Sequence, residues 1–129
     1  MLLITDDKTI NLTRGDIASI EISANQSDTL MYTFKTGDVI RFTVVEKNKC
    51  ENVVLQKDFF VESESSTVDV FLSSMDTKIG EFINKPKDYW YEVVLNPDTA
   101  PQTIIGYDLN GPKIFRLFPE GDDVNEYLG

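Results

Sequence analysis

Residues 88–95, DYWYEVVL, constrain this chain more than any other stretch. Aromatic and β-branched side chains in succession suit a pleated, half-buried surface, so the segment reads as a buried strand. Side chains alternate across a strand, which puts Tyr89, Tyr91, Val93 and Leu95 on one face. That face is expected to meet the core, with Ile40, Phe42, Val44, Val68 and Val70 among its neighbours. Trp90, Glu92 and Val94 then take the other side.

The same period of two recurs along the chain. Ile20 and Ile22 alternate with Ser19, Glu21 and Ser23. Ile40, Phe42 and Val44 alternate with Arg41 and Thr43. Val53, Leu55, Phe59 and Val61 are expected to share a face, as are Val68, Val70 and Leu72. Turn residues separate the runs: Arg14-Gly15-Asp16, Thr36-Gly37-Asp38, a charged hairpin loop over 47–52, an acidic, serine-rich turn over 62–66, and Asn96-Pro97-Asp98. Residues 102–107 and 113–118 read as a hairpin joined through Leu109-Asn110-Gly111, because Asn-Gly favours a tight two-residue turn. One helical candidate covers 74–80, with Ser73 or Ser74 as cap, Asp76 in the first turn and Gly80 at its end. Short strands at this spacing imply an all-β fold, an immunoglobulin-like antiparallel β-sandwich with at most one short helical turn. Tyr89 stands where such a fold places a tyrosine corner, its hydroxyl bonding back to the preceding loop; the alternative is that Tyr89 and Tyr91 are ordinary strand aromatics.

A chain of 129 residues fits one domain. The sandwich is expected over 1–118, with an acidic tail over 119–129. The net charge of −10 repels phosphate backbones and anionic lipid, so neither nucleic acid nor membrane is an expected partner. No apolar run is long enough to cross a bilayer. The start, MLLITDDK, lacks the basic end and apolar length of a signal peptide, so synthesis without export is expected. The single Cys50 fits a reducing compartment.

Histidine is absent. That removes the commonest general base and metal ligand, and one cysteine cannot build an ordinary zinc site. No enzyme activity, cofactor or metal is expected. Cys50 sits beside Lys47 and Lys49, which favour a thiolate, but no base accompanies it. Glu81, Asp88 and Glu92 flank the aromatic strand and are the group to weigh for two-carboxylate sugar chemistry. Several strings mislead. Arg14-Gly15-Asp16 spells an integrin-type tripeptide yet most simply bends the chain. Asp108-Leu109-Asn110-Gly111 opens like a calcium loop but lacks the remaining ligands.

The ordered pieces 10–16 (INLTRGD), 36–44 (TGDVIRFTV), 55–58 (LQKD), 76–80 (DTKIG) and 89–93 (YWYEV) resemble a family of small phage structural proteins. These are N-terminal modules of upper baseplate and tail-fibre proteins from phages and prophages of Gram-positive bacteria. The resemblance implies an immunoglobulin-like sandwich that anchors or decorates a virion, docks on other phage structural proteins, forms homo-oligomers and carries no active site. Longer relatives continue into a linker helix and a receptor-binding part; this sequence runs to an acidic tail, as a whole small protein or as the N-terminal part of a longer one. The consecutive apolar residues Leu2, Leu3 and Ile4, following Met1, are the candidate interface or, alternatively, an edge strand of the chain's own sandwich. The alternative is a carbohydrate-binding sandwich acting in host or surface adhesion, with Trp90, Tyr107, Phe115 and Phe118 as its aromatic platform.

Overall fold

Alternating sequences become strands as their apolar faces gather on a core, and nine segments are strands among the described residues. The computed structural model describes residues 2–26, 29–80 and 83–120. The strands are β1 (Leu2–Ile4), β2 (Ile10–Thr13), β3 (Ala18–Ile22), β4 (Val39–Glu46), β5 (Lys49–Phe60), β6 (Val68–Leu72), β7 (Lys87–Leu95), β8 (Gln102–Ile105) and β9 (Lys113–Phe118). Among the described residues a single helix, α1 (Ser74–Thr77), lies between β6 and β7. The chain is therefore all-β, a sandwich with one short helical turn.

The larger sheet has seven strands in the order β1-β2-β9-β7-β4-β5, with β8 also on β7, and the smaller sheet pairs β3 with β6. An immunoglobulin-like sandwich divides its strands more evenly. The pairing is antiparallel except between β2 and β9, which run parallel, Ile10 opposite Phe115. Parallel neighbours need a long crossover; here most of the chain intervenes. The two sheets contribute to one core, from Ile40, Phe42, Val44, Tyr89, Tyr91, Val93 and Phe115 on one side to Ile20, Ile22, Val70 and Leu72 on the other. Phe42 is its aromatic centre, 5.7 Å from the Tyr91 ring and 6.1 Å from Phe115. The face read from 88–95 is correct, and Val68 packs partly buried against it.

Several local readings change. Residues 102–107 and 113–118 do not pair with each other. Both lie along β7, β8 opposite Val93–Leu95 and β9 opposite residues 87–91. They are two lengths of one β7 partner, interrupted by an excursion over 106–112. The turn within it is closed between Asp108 and Gly111, with Leu109 and Asn110 at its tip and Gly111 at φ +96°. Asn-Gly gives a turn, but β7 offered these segments a better partner than each other. Val53 also leaves its expected face. Register shifts near Val45 place it opposite Val45 and 51% exposed, because a bulge inserts a residue and reverses the alternation beyond it. The loop read over 47–52 shrinks to Lys47-Asn48, with Asn48 at φ +64° and β5 beginning at Lys49.

The remaining turns follow their residues. Gly15 at φ +89° carries the chain from β2 in one sheet to β3 in the other. Arg14 is buried there and donates to the carbonyls of Ile79 and Gly80, so the tripeptide it begins is not displayed as a ligand. Ser73 caps α1: its hydroxyl accepts from the Asp76 amide while the Asp76 carboxylate accepts from the Ser73 amide. Glu120 pairs with Arg14 at 3.4 Å, so the expected tail is tied to the sandwich at its start. Residues 121–129 lie outside the described residues.

Candidate functional site

The seven-stranded sheet has one face in the core and one facing outward, and the outward face gathers residues that sequence alternation assigned away from the core. Thr43 lies opposite Glu92, and Val45 opposite Trp90, across β4 and β7. Gln56 lies opposite Thr43 across β4 and β5, and its amide donates to the Thr43 hydroxyl at 3.2 Å. The excursion over 106–112 rises beside them and brings Tyr107 to Trp90, ring centres 6.0 Å apart and planes at 71°. Together these residues, with Pro97 and Pro112, line an open cavity of about 330 Å³.

Charge around the cavity is largely neutralised in place. The Arg41 guanidinium donates to both carboxylate oxygens of Asp58, at 2.8 and 3.0 Å, and reaches Asp98 at 3.4 Å. The hydrogen bonds from Arg41 hold the Asp58 carboxyl below its ordinary range. Lys113 holds Asp108 at 2.9 Å, and that bond likewise lowers the Asp108 carboxyl. Glu92 is exposed and makes no hydrogen bond or ion pair with any described residue. The Trp90 indole nitrogen is buried and has no hydrogen-bond partner among the described residues. A buried donor left unmade costs about 1–3 kcal/mol.

The aromatic platform is thus redrawn. Phe115 is fully buried, because its register opposite Tyr89 turns it into the core. Phe118 is half-buried beside Thr13, four residues along β9 from Ile114, the partner of Trp90. At about 3.3 Å per residue that is roughly 13 Å away. Trp90 and Tyr107 do meet. The alternation already turned Trp90 outward; nothing local placed Tyr107 against it. Cys50, exposed, borders the same cavity from β5.

Of the carboxylates weighed for sugar hydrolysis, the two among the described residues do not form a pair. Glu81 lies outside the described residues. Asp88 is held by Arg116 at 2.7 and 3.2 Å. Asp88 and Glu92 lie four residues apart on one face of β7, again roughly 13 Å, beyond the roughly 5–9.5 Å that two catalytic carboxylates span.

At the opposite edge of the same sheet, β1 pairs with β2, Leu2 opposite Leu12 and Ile4 opposite Ile10. Its other side has no strand beside it among the described residues. Leu2, Leu3 and Ile4 are 39, 56 and 41% exposed. Leu2 and Ile4 share the core-side face with Leu12 and Ile10, yet remain uncovered where their partners are buried. Met1 lies outside the described residues. No family model, curated protein or solved structure matches the chain.

Proposed function

We propose that this chain is a non-enzymatic structural module of a phage virion, in a baseplate, tail-fibre adaptor or decoration, that acts by docking on other structural proteins and on copies of itself. The carrying observation is β1: an open sheet edge whose three side chains are all apolar and all exposed. Open edges invite strand pairing, and contiguous exposed apolar residues mark contacts. The resemblance to baseplate and tail-fibre modules supplies the virion setting. A net charge of −10 favours protein partners over nucleic acid or anionic membrane.

Light scattering across a range of concentrations tests self-docking. The whole chain is expected to form an oligomer that dissociates when residues 1–5 are deleted, while the melt stays cooperative. A chain monomeric at every concentration rejects self-assembly through β1. Antibody labelling of purified particles tests the setting: label on the tail or baseplate is expected, and absence from the particles rejects a virion role.

A further inference from the structure

The outer-face cavity is bordered by groups that have no polar partner among the described residues, the buried Trp90 indole N–H and the exposed Glu92 carboxylate, and by Tyr107, which is 73% exposed. We propose that it is a binding site for a neutral sugar ring, one unit of a glycan. A pyranose has apolar C–H faces and a rim of hydroxyls that both donate and accept. Trp90 and Tyr107 offer aromatic surface to the faces. The Gln56 amide and Thr43 hydroxyl, already joined to each other, offer both kinds of partner to the rim, and Glu92 adds a strong acceptor. The Trp90 nitrogen is closed off from solvent, and the Tyr107 ring meets the indole edge to face, centres 6.0 Å apart. That ring stands on the excursion over 106–112, where its exposure leaves it room to move. At about 330 Å³ the cavity falls at the small end of ligand sites, suited to one ring.

Charge selects among ligand classes. Arg41 and Lys113 border the cavity but are held by Asp58, Asp98 and Asp108. The remaining local charge is that of Glu92, which with the net charge of −10 disfavours an anion. A quaternary ammonium ion needs aromatic faces turned toward it; here the two rings meet edge to face, beside two cationic residues. The site lies across β5, β4 and β7, away from β1, so it stands whether or not β1 docks.

Trp90 is the chain's only tryptophan, so its fluorescence reads this cavity alone. The whole chain is titrated with glucose, galactose, N-acetylglucosamine and their disaccharides, each to about 100 mM so that millimolar affinities register. Choline and sodium phosphate serve as charged comparisons. A saturable change with at least one sugar is expected. Tyr107→Ala and Glu92→Gln, both at exposed positions, are expected to weaken it about tenfold, the loss of roughly one good contact. No saturable response to any sugar overturns the proposal. So does a response to choline or phosphate alone, or a sugar response that both variants retain in full.

Discussion

Tyr91 shows how one residue serves both packing and connection. Its ring lies in the core against Phe42, and its hydroxyl donates to the Lys8 carbonyl at 2.6 Å, in the loop between β1 and β2. The expected corner bond ran from Tyr89 to the loop before it; among the described residues Tyr91 makes the bond, to a loop 83 residues earlier. Burial chiefly, and then the charge of Asp7, push the Tyr91 phenol well above its ordinary range, so it remains a neutral donor. Two substitutions separate its roles. Tyr91→Ala is expected to cost about 3–5 kcal/mol, as for other buried aromatics. Tyr91→Phe keeps the ring and leaves the Lys8 carbonyl near solvent, for a loss of about 1 kcal/mol. Urea unfolding measures both, and equal losses would contradict the division.

Among elements, turns lock to turns through Asp38. Its carboxylate accepts from the Tyr32 hydroxyl at 2.8 Å and the Lys35 amide at 2.9 Å in its own turn. It also accepts from the Asn96 side chain at 3.1 Å, in the turn after β7. Burial alone would raise this carboxyl; the three bonds outweigh burial and hold it below the ordinary 3.8. A group depressed in the folded state stabilises above its unfolded value and loses that stability as pH falls through the folded one. Asp38 therefore contributes fully above pH 3.8 and progressively less below it. Asp38→Asn is expected to lower stability at pH 7 and to flatten its fall in the acid range, read from melts between about pH 2 and 7. An unchanged acid slope would remove Asp38 from acid unfolding. Elements also mark where local reading ends. The strand at 88–95 and the cap at Ser73 depend on residues adjacent in sequence. The mistaken hairpin over 102–118 depended on which edge of β7 was open.

For the whole molecule, charge is the collective variable. A net −10 on a chain of this size repels itself, which destabilises the compact state. The ion pairs Arg41–Asp58 and Arg116–Asp88 oppose this, but both are partly exposed and individually weak. Raising sodium chloride from about 10 to 150 mM shortens the screening length and is expected to raise the melting temperature at pH 7. A fall would show that the ion pairs outweigh the repulsion. The sequence by itself determined the all-β class, the inward face of β7, the bend at Arg14-Gly15-Asp16 and the start of the helical turn at Ser73, though that turn ends at Thr77 rather than Gly80. Each follows from side-chain alternation, glycine freedom or a cap, and acts within a few residues. Tertiary structure alone decided that β2 lies parallel to β9, that β8 and β9 share β7, and that Tyr107 comes to rest against Trp90. Local pattern tells a strand which face to bury, whereas its neighbour is chosen by which free edges the rest of the chain leaves open once the core has formed.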